Sequence, residues 1–328
     1  MKGESMYGYT IFHEDIMNSL IRSVHEGRSA NAYIFEGSKG LGVGNAAELF
    51  AKALTCLNEP DAPCGSCGPC AEISSGANPD LIRITKPKDK ASIGIDISRE
   101  MISAALTKPL YSRRKVILIE DGELLTAEAQ NALLKVLEEP PEYAVFITVC
   151  ESADNILETV RSRSVTIEFP PVGDDIVEKY ITEKYPDDPR VDFLVKYCSG
   201  VPLTADTIIE SGDLETLRTD ALTLVKQLLS SNKLDAFRFS EYFDSHKENA
   251  ASVCDIILLY LRDIIVTQLC GGGVTNIDKT DDIRLLAASS TAPQIMAAAD
   301  EIVVMKKMLG RFVKASAAAM HAVLGTSK

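Results

Sequence analysis

Positive charge is scarce in this 328-residue chain: 34 Lys and Arg stand against 47 Asp and Glu, a formal net charge of −13. A protein that wraps nucleic acid by itself neutralises phosphates with many lysines and arginines, so that class is disfavoured and any DNA contact is expected to be local or shared. The basic clusters are short, KPKDK at 86–90, SRRK at 112–115, RSRS at 161–164 and KK at 306–307, and each reads first as a solvated face. Long apolar runs are lacking too. The longest, IILLYL, is closed by Arg262 and Asp263, far short of the roughly 20 residues a membrane helix needs. With no basic-then-apolar leader, the expectation is a cytoplasmic protein with no membrane partner.

What is present is an alternation. Strand-like runs AYIFE (32–36), DLIRIT (80–85), KVILIE (115–120), AVFITV (144–149) and VTIEF (165–169) are separated by helical segments, which predicts a parallel α/β sheet. The near-continuous apolar character of VILI and VFI fits strands covered on both faces. TAEAQNALLKVLEEPP reads as a helix with Thr126 as N-cap, an apolar face of Ala129, Leu133, Val136 and Leu137, and Pro140 as its stop. The sheet domain is expected to close near Pro170-Pro171. Beyond it the spacing is helical, with CGGGVTNIDKT (270–280) as a loop and a late stripe of Ile295, Ile302, Leu309, Phe312, Val313, Ala317 and Met320.

Four of the eight cysteines, Cys56, Cys64, Cys67 and Cys70, lie in one C-x7-C-x2-C-x2-C stretch rich in Gly and Pro. Four thiolates can close a tetrahedral zinc shell, with no open position left for catalysis. Structural zinc is therefore read ahead of a disulfide, redox-active thiols or unliganded cysteines, since disulfides are disfavoured inside the cell. Cys150, Cys198, Cys254 and Cys270 are isolated and read as small apolar residues.

The stretch EGSKGLGVGNAAELFAKAL follows the first strand, where a phosphate loop would sit. Aligning Gly37 and Gly42 with the two glycines of G-x-x-x-x-G-K-[ST] puts Val43 at the lysine and Gly44 at the magnesium-binding hydroxyl. Gly37, Gly40 and Gly42 keep the form of a cradle, but the charged parts of phosphoryl transfer are gone. Lys39 is the one cation inside the loop. KVILIEDGE ends a strand in Glu120 and Asp121, the form of a Walker B site that would hold Mg²⁺. Arg161 and Arg163 precede the last strand, and an exposed arginine can stabilise a phosphoryl group in a neighbour's site.

With the cysteine cluster between the loop helix and the second strand, then IEDGELLTAEAQNALLKVLEEPP, then TVRSRS, the chain resembles bacterial clamp-loader subunits of the DNA polymerase III holoenzyme, members of the AAA+ superfamily, over about residues 7–205. The resemblance implies a RecA-like AAA+ parallel-sheet domain with a zinc module (1–170), a small three-helix lid (171–210) and an all-α collar (211–328). It implies assembly with motor (gamma/tau) and delta subunits in a hetero-pentameric ring that loads the sliding clamp on primer–template DNA. It identifies Cys56, Cys64, Cys67 and Cys70 as zinc ligands, and aligns the family's sensor-1 threonine with Cys150 and its sensor-2 arginine near Leu203. The Ser-Arg-Cys motif stands as Ser162, Arg163 and Ser164. These losses imply the class of subunit with no ATPase activity and no nucleotide of its own, which keeps Arg163 to act in trans; an ATP-binding motor subunit is the alternative.

Overall fold

A computed structural model describes residues 11–88, 90–210, 212–230, 233–271, 273–310 and 313–326. The first ten residues and Phe312 of the late apolar stripe lie outside them. The described residues form two compact units: one runs to Glu183 and takes in Gly200–Leu203, the other holds Lys184–Ser199 and the residues from Thr204 onward.

The first unit is built on five strands, β1 (Ala32–Glu36), β2 (Leu81–Ile84), β3 (Lys115–Ile119), β4 (Ala144–Cys150) and β5 (Val165–Glu168). They pair in the order β2-β3-β4-β1-β5, every pair parallel, as the alternation of runs predicts. Successive side chains leave a strand on opposite faces, and here both faces are covered. Tyr33, Phe35, Val116, Leu118, Val145 and Ile147 enter one core cluster, while Ile34, Ile117, Ile119 and Phe146 enter the other. The sheet is thus the middle of a three-layer α/β sandwich, the RecA-like architecture expected. The two edges are β2, which exposes Arg83, and β5, whose Val165, Thr166 and Glu168 are exposed.

The helices of this unit are α1 (Glu14–His25), α2 (Val43–Thr55), α3 (Gly68–Ser74), α4 (Ile95–Ala105), α5 (Ala127–Glu138), α6 (Glu158–Arg161) and α7 (Asp174–Lys184), the last ending at the boundary. Residues of α1, α2 and α3 bury themselves against the first face, and those of α4, α5 and α6 against the second. In α5 the Thr126 hydroxyl accepts the Ala129 N–H at 3.2 Å, satisfying a donor that no helical carbonyl can reach. Ala129, Leu133, Val136 and Leu137 are the buried face, and the helix stops before Pro140.

The second unit is all-helical among its described residues: α8 (Val191–Cys198), α9 (Thr204–Glu210), α10 (Leu214–Leu228), α11 (Lys233–Ser245), α12 (Ala250–Cys270), α13 (Thr280–Ser289), α14 (Ala292–Gly310) and α15 (Ala315–Thr326). Asp263, which closes the apolar run of α12, is fully buried. Its carboxylate accepts the N–H groups of Thr275 (3.0 Å) and Asn276 (2.9 Å), fastening the loop after α12 back onto the helix. The late stripe holds only in its first part. Ile295 and Ile302 are buried in α14, but the helix is interrupted before α15, where Ala315, Ala318, Ala319 and Ala322 are buried and Ala317 is exposed. A helix interruption resets the angular phase, so one continuous stripe does not survive it.

Phe50 is fully buried in α2, edge-on to Tyr33 with ring centroids 4.9 Å apart. Phe50→Ala is expected to cost about 3–5 kcal/mol in denaturant unfolding; a loss under about 1 kcal/mol would mean that the α2 face is not a close-packed core.

Candidate functional site

The glycine loop sits where parallel strands end. Gly37 donates its N–H to the Cys150 carbonyl at 3.0 Å, and Phe169 N–H reaches Glu36 O at 2.7 Å, so the pairing of β1 runs past its last residue on the β4 side and holds to that residue on the β5 side. A Cβ on Gly37 would lie 2.8 Å from the Phe169 carbonyl oxygen, closer than real Cβ contacts come. Gly42 has φ 72°, the left-handed region, as it starts α2. Both glycines are therefore required by the turn. Gly40, between them, accepts the Leu203 N–H at 3.1 Å, so the residue at the sensor-2 place meets the loop through its backbone and brings no charge to it.

Ser38 and Lys39 are exposed, whereas the apolar side chains of the loop face inward. Leu41 and Val43 are 2% and 1% exposed and belong to the core cluster, so the residue at the lysine position is an apolar packing group. Gly44 is exposed, and a Cβ there would meet nothing within 4 Å; packing does not demand this glycine, yet it supplies no hydroxyl for a metal. Cys150, at the sensor-1 place, is buried, with its thiol pushed up to about 12 by burial and then by the charges of Glu123 and Glu36. It stays protonated.

The strand-end carboxylates are already paired. Lys39 Nζ lies 3.6 Å from Asp121 Oδ1 and 4.0 Å from Glu123 Oε1. Arg83, a charge in the middle of β2, binds Glu120 at 2.8 Å and also Glu48 of α2. Lys39 is 69% exposed, so its pairs add little stability; what matters is the place the ammonium takes, beside the acids that a Walker B site would turn to Mg²⁺. Reading by motif missed Arg83, Glu48 and Glu123. The signal for Arg83 was its position inside an otherwise apolar strand.

Arg161 and Arg163 part company. Arg161 pairs with Asp154 at 3.2 Å. Arg163 donates through Nη1 to the Thr159 carbonyl at 2.8 Å and to Ser162 Oγ at 3.3 Å, and through Nη2 to Glu138 Oε1 at 2.7 Å. Both arginines precede β5, whereas Gly37 follows β1. Because the strands are parallel, Arg163 stands at the edge of the sheet opposite to the glycine loop, with the length of β5 between them, roughly 13 Å at 3.3 Å per residue.

Cys56, Cys64, Cys67 and Cys70 converge, their sulfur atoms all within 4.8 Å of one another. Cys56 Sγ and Cys67 Sγ are 3.9 Å apart, matching the edge of a tetrahedron with 2.3 Å metal–sulfur bonds, about 3.8 Å. Cys67 closes the start of α3, and Cys70 and Cys56 are buried in the core of the α2 face. N–H donation from Ser66 and Cys67 pulls the Cys64 thiol down to about 6, whereas burial pushes Cys56 and Cys70 up. A buried thiol of that kind becomes a thiolate only with a cation to neutralise it. The four can hold a metal ion such as zinc. No helix among the described residues is long and apolar enough to cross a membrane.

The family model described as "DNA polymerase III, delta subunit" matches residues 12–173. The DNA polymerase III subunit delta' of Bacillus subtilis is 29% identical over 262 residues, which are 77% of this chain and 77% of that protein. The DNA polymerase III subunit gamma/tau of Mycobacterium bovis is 32% identical over 159 residues, 48% of this chain and only 27% of that longer protein. Among solved structures, a DNA polymerase III gamma subunit-related protein of Thermotoga maritima aligns with 95% of this chain and 99% of its own, at 19% identity and a TM-score of 0.43.

Elemental analysis of protein purified under reducing conditions is expected to give about one zinc per chain, as four thiolates imply, and Cys67→Ser is expected to lose it. Metal-free protein with the cluster reduced would rule out the zinc assignment.

Proposed function

We propose, for a chain that belongs to the clamp-loader subunit family of DNA polymerase III and so to DNA replication, that it acts as the non-hydrolysing, delta-prime type of subunit. In this reading it assembles with motor (gamma/tau) and delta subunits in a hetero-pentameric ring, and through that ring it meets the sliding clamp and primer–template DNA. Residues 1–170 form the AAA+ domain, 171–210 the lid and 211–328 the collar that carries oligomerisation. Zinc at the four cysteines is structural, and no nucleotide of its own is required.

The observation that carries the reading is the state of the loop and its acids. Val43 is packed in the core at the lysine position, while Asp121 and Glu120 are paired with this chain's own Lys39 and Arg83. Phosphoryl transfer depends on cations held against the phosphates, and these positions offer none that is free to do so. Arg163, on the other edge of the sheet, is too far from this loop to serve it; a neighbour's ATP is the phosphate it would meet. There its guanidinium would stabilise the charge that builds on the transferring phosphoryl group, with Ser162 beside it.

A motor-type, ATP-binding gamma/tau subunit is the second reading, favoured by the 32% identity to the Mycobacterium bovis protein. It needs the lysine and hydroxyl that Val43 and Gly44 replace.

Arg163→Ala, placed in a loader reconstituted with motor and delta subunits, is expected to lower DNA-stimulated ATP hydrolysis. The loss at the one affected site would be on the order of 10³, read as a partial loss over the ring. An unchanged rate in a fully assembled complex would refute the role in trans.

A further inference from the structure

Arg163 is not free. Its Nη2 is engaged by Glu138 Oε1 at 2.7 Å and its Nη1 by the Thr159 carbonyl at 2.8 Å. Glu138 is the last residue of α5 and lies next to neither the glycine loop nor the cysteine cluster in sequence. The side chains are 35% and 51% exposed, so the pair is open to a competing anion. Thr159 and Ser162 belong to Arg163's own turn and travel with it, whereas Glu138 comes from a separate helix. Among the described residues, the contact to Glu138 is the one that fixes the guanidinium to another part of the fold.

A carboxylate and a phosphate group offer an arginine fork the same kind of partner, an anion presenting oxygens. We infer that Glu138 is a positioning residue that parks Arg163 against its own subunit, occupying the guanidinium face that a neighbour's ATP phosphate takes over when the ring closes. The inference rests on the trans role given to Arg163 above. In the free subunit the carboxylate holds the finger folded back. In the assembled ring, the more highly charged phosphate displaces the carboxylate, and hydrolysis begins only where the subunits come close enough for that exchange.

Neutralising Glu138 loosens the parked state without touching the finger. In the reconstituted loader, Glu138→Gln is expected to raise ATP hydrolysis measured without DNA by about two- to fivefold, the size of an exposed ion pair. The DNA-saturated kcat should stay as in the unsubstituted complex. Glu138→Asp, which keeps the charge, should restore the low basal rate, and Glu138→Gln added to Arg163→Ala should give no rise over Arg163→Ala alone.

A rise that persists in the Arg163→Ala background would overturn the inference, since the effect would not pass through the finger. So would a loss of DNA-saturated rate with Glu138→Gln, which would make Glu138 a support of the engaged finger, or an unchanged basal rate with all subunits assembled. If Arg163→Ala itself leaves hydrolysis intact, the failure lies in the trans role rather than in the parking contact, and the inference falls with it.

Discussion

The parallel pairing of β1 with β4 on one side and β5 on the other is the constraint on which the rest depends. It sets Ala32 opposite Phe146 and Tyr33 opposite Val165, and its hydrogen bonds run on through Gly37 and Phe169. In open parallel sheets, ligands bind beyond the carboxyl ends of the strands. The same register therefore delivers the glycine loop, Glu120 and Asp121 to one edge and Arg163 to the other.

At those strand ends the glycines answer to the chain's own packing. Gly37 is needed because Phe169, just past β5, comes too close for a side chain, and Gly42 because the chain turns through a left-handed residue into α2. Neither demand concerns a phosphate. Val43 and Leu41 fill the space beneath the turn as core residues, and burying them contributes the usual hydrophobic stabilisation. Carboxylates grouped at a strand end repel one another unless cations are near; Lys39 and Arg83 answer that locally.

Much of this was legible in the sequence because it is local or periodic. The five strand runs stand within a residue or two of their predicted ends, the Thr126 cap and the buried face of α5 appear as read, and the cysteine spacing does bring four sulfur atoms together. What was not legible depends on pairs distant in the chain. Arg83 with Glu48 and Glu120, and Arg163 with Glu138, join residues that no motif links. Asp263 read as a break in an apolar run, and its burial rests on N–H groups 12 and 13 residues later. The stripe from Ile295 was carried too far because periodicity cannot register a helix break.

The central claim is that this chain's own nucleotide site is silent. Calorimetric titration of the isolated chain with ATP and Mg²⁺ tests it most directly. The account predicts no saturable binding up to about millimolar nucleotide, near −4 kcal/mol; micromolar, Mg²⁺-dependent binding would contradict it.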